Sequence, residues 1–215
     1  MLVMAFNGSP RKKWNTATML EHALEGAASR GARTELVHLC DLDYSGCTSC
    51  FACKRLGGKS YGTCSVEDDL TPVLERVEES ADAVILGTPI YFMAETGMMR
   101  NLMERLLFPY LTYSNAPNLF PREMPVALIY TMNMHEDQAG DTFFDARVAL
   151  NEEIFHSVFG RTESLMSYDT LQFDDYAKYE TDIFDAEAKA RRRREVFPAD
   201  CERAYALGDR LVRRP

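Results

Sequence analysis

Apolar positions along this chain follow two alternating periods. Short apolar-rich runs occur at Leu2–Phe6, Thr34–Leu39, Ala83–Leu86, Val126–Tyr130 and Glu163–Tyr168. Runs of this length bounded by polar turns predict strands, and the wholly apolar ones predict strands covered on both faces. Between them, apolar residues recur at helical spacing. Leu20, Ala23, Leu24, Ala27 and Ala28 form one stripe, with Gly31 as its stop. Leu70, Val73, Leu74 and Val77 form the next, with Asp69 as the expected cap and Pro72 in the first turn. Met99, Leu102, Met103, Leu106 and Leu107 precede Pro109, and a helix over Phe144–Phe159 ends at Gly160. Capping residues, prolines and glycines at these positions punctuate helices for known steric reasons. A helical extension over 184–213 closes the pattern, with Cys201, Ala204, Tyr205, Gly208, Leu211 and Val212 expected on one face.

Strands alternating strictly with helices imply a parallel sheet covered on both sides. The expected architecture is α/β, a flavodoxin-like three-layer α/β/α arrangement with a five-stranded parallel sheet in the order 2-1-3-4-5. Ligands of such sheets bind at the carboxyl edge where strand order reverses. Here that point lies between the first and third strands. It places the turn Asn7–Thr16 and the stretch Thr88–Phe92 on opposite sides of one crevice. No repeat or linker divides the chain, so residues 1–215 are read as one domain carrying an aperiodic, cysteine-containing loop over 41–65.

Composition narrows the function classes. With 46% hydrophobic residues in 215, the chain has enough apolar material for a full core. A net charge of −9 weighs against nucleic acid and against an anionic membrane surface as partners. No apolar run approaches a membrane span, and the first run is too short for a signal peptide, so a cytoplasmic location is expected. Six cysteines in such a chain point to metal binding, redox chemistry or burial rather than a disulfide framework.

The first turn carries chemistry. Gly8 permits a tight exit from the strand. Ser9, Asn15 and Thr16 supply short polar side chains, and Arg11 supplies a planar donor fork suited to phosphate oxygens. A strand that breaks at such a turn and restarts as a helix aims backbone N–H groups at one point. Neither the nucleoside-triphosphate pattern nor the dinucleotide fingerprint is present. Across the crevice, Thr88, Pro89, Ile90, Tyr91 and Phe92 offer flat walls and backbone groups for a planar ring with polar edges. Asn133, after the fourth strand, falls where it meets that ring's rim. Together these features suit the phosphate and the ring of FMN. His135 reads as a solvated loop histidine, Trp14 is given no role, and Arg191–Arg194 reads as a solvated face.

Gly8-Ser9-Pro10-Arg11 with Asn15-Thr16, the Pro89-Ile90-Tyr91 turn and the run Gly46-Cys47, Cys50, Cys53 resemble the NAD(P)H-dependent FMN reductase superfamily, and within it the iron–sulfur flavoproteins. The resemblance implies a flavodoxin-like fold, bound FMN, NAD(P)H as electron donor, and a homodimer or homotetramer. It implies Ser9, Arg11, Asn15 and Thr16 at the phosphate, and Pro89–Phe92 beside the isoalloxazine. Cys47, Cys50 and Cys53 recur at every third position, a spacing that lets thiolates converge on a cluster. Cys64 is the fourth candidate ligand of a 4Fe–4S cluster, with ten residues between it and Cys53. Zinc, free thiols and replacement of Cys64 by Cys40 remain open alternatives. Cys201 reads as inert core. Three readings follow: an FMN oxidoreductase with a cluster, a cluster-free flavin or quinone reductase, and a flavodoxin-type electron carrier. Its partners are a small-molecule or protein electron donor and acceptor.

Overall fold

The computed structural model describes residues 1–115, 118–139 and 143–213. Its sheet runs through β1 (Leu2–Asn7), β2 (Arg33–His38), β3 (Ala83–Tyr91), β5 (Val126–Thr131) and β6 (Thr162–Ser167) in the order β2-β1-β3-β5-β6, with every neighbouring pair parallel. This is the flavodoxin-like order expected. One strand was not foreseen: β4 (Ala94–Glu95) pairs antiparallel with the end of β3, so the sheet counts six strands rather than five. Two residues are too few to leave a periodic signal.

Successive residues of each strand point to opposite faces, and the core divides accordingly. Met4, Phe6, Val84, Leu86, Val126 and Leu128 face α2 (Thr71–Ser80), α3 (Gly97–Leu107) and α5 (Phe144–Phe159). Val3, Ala5, Ile85, Ala127 and Ile129 face α1 (Asn15–Ala28) and α7 (Phe197–Leu211). A short α4 (Glu136–Ala139) follows β5, and α6 (Ala186–Glu195) leads into α7. Among the described residues no helix is long and apolar enough to cross a membrane.

Helices α1 and α7 pack at backbone distance because glycines meet there. A Cβ on Gly208 would stand 1.8 Å from the carbonyl oxygen of Ala23, and one on Gly26 would stand 2.0 Å from that of Tyr205. On the buried face of α7, Leu207 takes the place expected of Tyr205, which is exposed. Asp69 does not cap α2 as expected: the N-cap position is Leu70, and no side chain caps the helix. Asp68 Oδ1 accepts from Leu70 N at 3.1 Å, while Asp69 Oδ2 takes the N–H of Asp43 at 2.8 Å.

Strand β3 continues through the stretch expected as a loop and turns only at Phe92 and Met93, whose φ angles are +51° and +62°. Two left-handed residues make the hairpin turn whose twist matches its strands, at a cost for side chains bearing a Cβ. Met93→Gly is therefore expected to raise unfolding stability by about 0.5–1 kcal/mol in urea denaturation. A loss would show that the Met93 side chain contributes more than its backbone costs.

Candidate functional site

The carboxyl ends of β1, β3 and β5 open on a cleft of about 270 Å3, at the reversal of strand order. Of the ten residues expected there, nine line it: Ser9, Arg11, Asn15, Thr16, Pro89, Ile90, Tyr91, Phe92 and Asn133. Thr88 does not. Buried behind the wall, it accepts from Thr96 N at 3.2 Å through Oγ1 and so helps set the start of α3.

One end of the cleft is built to receive an anion. No side chain caps the first turn of α1, and no acidic residue occupies that turn. Its N–H groups and the positive end of the helix are left for a ligand. The polar side chains around it are held in place. Asn7 Oδ1 accepts from Ser9 N at 3.0 Å, and Ser9 Oγ accepts from Arg11 N at 3.1 Å. The Thr16 and Thr131 hydroxyls lie 2.8 Å apart. At the other end, Pro89, Ile90 and Tyr91 form the edge, and Phe92 projects fully into solvent from the hairpin tip.

A third wall escaped the sequence reading. Thr170, Leu171 and Gln172, beyond β6, line the cleft, and their backbone ties down the first turn. Leu171 O accepts from Trp14 Nε1 at 3.0 Å and from Asn15 Nδ2 at 2.9 Å, and Gln172 O accepts from Arg11 Nη1 at 2.7 Å. Arg11 also stacks on Trp14, 4.2 Å from the ring centroid. Main-chain carbonyls carry no residue-type signal, so nothing in the sequence marked them.

The arginine run is not the solvated face expected. Arg191 and Arg194 are exposed, but Arg192 Nη2 binds Asp200 Oδ2 at 2.5 Å and Arg193 Nη1 donates to Asn15 Oδ1 at 2.9 Å. Arg193 also stacks 3.9 Å over Phe197, and burial pushes its guanidinium below the ordinary value. His135 is exposed, as expected of a loop histidine, with Nε2 3.7 Å from Asp169 Oδ1. Cys201 is buried on α7.

Cys47, Cys50, Cys53 and Cys64 all line a second, smaller cavity of about 20 Å3. The long excursion between the last two doubles back: Gly62 N donates to Cys53 O at 3.0 Å. Ser49 and Phe51, on either side of Cys50, take left-handed φ angles of +55° and +56°. A hydrogen bond with Ser65 leads in holding the Cys50 thiol below its ordinary value, and burial pushes Cys53 up. Arg105 of α3 lines the same cavity, its side chain fully buried. It binds Asp68 Oδ2 at 2.5 Å, Ser45 O at 3.3 Å and Val66 O at 3.0 Å, so it ties both ends of the cysteine loop to α3. Its Nε has no partner among the described residues.

This donor set fits a group held by thiolates, with an unused buried N–H on the wall to meet its negative charge. The cavity itself is contracted. Among the described residues, no three His, Cys, Asp or Glu side chains gather closely enough to hold a metal ion. Cys40 stands apart, with Sγ 4.0 Å from Pro10 O.

Residues 1–139 match the family described as NADPH-dependent FMN reductase. An iron–sulfur flavoprotein of Archaeoglobus fulgidus is 41% identical over 105 residues, covering 49% of this chain and 48% of that protein. The chain thus spans about half the length of the curated relatives it matches. Among solved structures, the NAD(P)H:quinone oxidoreductase from Methanothermobacter marburgensis superposes with a TM-score of 0.72 at 14% identity, covering 100% of this chain and 98% of that one. An FMN-dependent NADH-azoreductase from Bacillus anthracis, in complex with FMN, gives 0.61 at 14% identity and covers 99% and 100%. At these identities the two likenesses speak to the fold.

Proposed function

The chain belongs to the NADPH-dependent FMN reductase family, and from that premise we propose that it is an FMN-dependent oxidoreductase. It takes electrons from NAD(P)H or a carrier and delivers them to a small-molecule or protein acceptor. The observation that carries this reading is the division of the cleft into an uncapped helix terminus at one end and a flat hairpin edge at the other. A phosphate-bearing planar ring has the same division. When bound, FMN supplies a hydride acceptor able to release electrons one at a time.

The chain's own residues bind and orient. Ser9, Arg11, Asn15 and Thr16 hold the phosphate with the first-turn amides of α1. Pro89, Ile90, Tyr91 and Phe92 flank the ring, Asn133 meets its polar rim, and Thr88 braces the wall from behind. No side chain is required as a nucleophile. Tyr91, Phe92 and Met93 are exposed at the tip of the hairpin, which fits a homodimer or homotetramer that covers this edge. Arg11→Ala removes a charge-assisted contact of about 1.5–3 kcal/mol. FMN binding followed by fluorescence quenching is expected to weaken roughly 10- to 100-fold. Unchanged affinity would place the phosphate elsewhere.

Cys47, Cys50, Cys53 and Cys64 are assigned as the ligands of a 4Fe–4S cluster, supported by their common cavity and by the names of the curated relatives. Such a group supplies one-electron transfer. A cluster-free reductase is the second reading, favoured by the contracted cavity. Anaerobic purification with flavin, iron and sulfide assayed on one sample separates them. One FMN with about four irons supports the first reading, FMN without iron supports the second, and protein that neither retains nor takes up FMN overturns both.

A further inference from the structure

Behind the cleft lies a buried cation that no reading above uses. Lys189 of α6 is 4% exposed, and its acceptors belong to the two loops that line the cleft. Nζ donates to Asn133 O at 3.2 Å, to Asn133 Oδ1 and to Asp169 Oδ1, and it lies 5.4 Å from the Phe184 ring centroid. A buried ammonium is costly unless paired, so these bonds hold it where it is. The same two loops are joined through their backbones, Asp169 N donating to Met134 O at 2.8 Å and Thr170 N to Met132 O at 2.9 Å. Asp169 sits at a left-handed φ of +50° to make this junction.

The cation decides which way Asn133 faces. A carboxamide is free to flip unless a neighbour distinguishes its two ends, and an ammonium, which only donates, can bond only the oxygen. With Oδ1 taken, the amino end remains. Nδ2 makes no hydrogen bond among the described residues, and Asn133 lines the cleft.

We propose that Lys189 is a positioning residue of the cofactor cleft. By holding Asn133 Oδ1 it leaves a fixed N–H donor for an acceptor on the polar rim of the bound ring, a flavin carbonyl oxygen or ring nitrogen. Its charge behind that donor favours the reduced ring, where negative charge collects. The proposal rests on the flavin reading given above.

The test measures the midpoint potential of bound FMN, together with FMN affinity, in the FMN-loaded protein and in Lys189→Met, Lys189→Arg and Asp169→Asn. His135 also faces Asp169, so every variant is titrated at one fixed pH. Lys189→Met is expected to lower the reduction constant at least tenfold, about 30 mV for a two-electron couple. Asp169→Asn, which leaves the cation uncompensated, shifts it the other way, and Lys189→Arg restores most of the loss. A clamp that is only structural loosens with either substitution, so affinity falls in both variants while the potential stays put or moves in one direction. That result overturns the proposal. If Lys189→Met does not fold, Asp169→Asn decides: easier reduction supports the proposal, and an unmoved potential sinks it. Wild-type protein that binds no FMN overturns the flavin reading and this proposal with it. Wild-type protein that binds FMN, with potentials unmoved in the variants, overturns this proposal alone.

Discussion

Gly208→Ala is expected to unfold the protein at markedly lower denaturant than wild type, with a loss of about 3 kcal/mol. In an open helix the same change would stabilise by about 1 kcal/mol, because alanine is the better helix former. Here the added methyl would stand 1.8 Å from the Ala23 carbonyl oxygen, a main-chain atom that no side-chain rotation can move. The two helices must separate, and separation uncovers Ala23, Leu24, Ala204 and Leu207 together. Gly26→Ala meets Tyr205 O at 2.0 Å from the other side and is expected to act alike. For a chain of this size 3 kcal/mol corresponds to a fall of roughly 10 °C in Tm. A gain in stability in either variant would show that the helices stand further apart than described. Helix α1 also carries the anion end of the cleft, so FMN affinity is expected to fall in parallel.

Arg105→Met is expected to cost about 3–5 kcal/mol, since removing one member of a buried ion pair strands the other. Asp68 loses its cation, and the carbonyls of Ser45 and Val66 lose a donor. Because Arg105 joins both ends of the cysteine loop to α3, the damage has a local signature. Limited proteolysis is expected to cut within residues 46–66 well before global unfolding. Asp68→Asn, which keeps a hydrogen-bonding side chain of the same shape, is expected to lose less. Equal resistance to protease in wild type and Arg105→Met would mean that the loop is secured by other contacts.

The inner strands β1, β3 and β5 were legible because burial on both faces leaves short apolar runs between turn signals, whereas the outer strands β2 and β6 are only partly buried. Nine of the ten residues expected at the cleft line it for a different reason: in a parallel α/β sheet, topology alone sends the ends of β1, β3 and β5 to one edge. What stayed hidden came from beyond β6. Lys189, Arg192 and Arg193 sit in a helix that is charged nearly all round, and charge alone does not reveal which of its residues turn inward. The third wall is made by the carbonyls of Leu171 and Gln172, 156 to 161 positions from their partners Arg11, Trp14 and Asn15. The expected cap of α2 failed because Asp68 and Asp69 spend their side chains on the N–H groups of Leu70 and Asp43, ahead of the helix, and leave its first turn uncapped.

The pairing of α1 with α7 also bears on how the protein is made. Chains leave the ribosome amino end first, and the segments that can fold do so as they emerge. Arg30 and Asp209 join the two helices across 179 positions. The apolar stripe of α1 thus emerges long before the surface that covers it. Strands β1 and β3 cover the Leu20 side of α1 as they emerge, but the edge at Ala23 and Gly26 stays open to chaperones and to neighbouring nascent chains until α7 arrives. The turn at the head of α1 likewise waits for Leu171, Gln172 and Arg193, the residues that brace it.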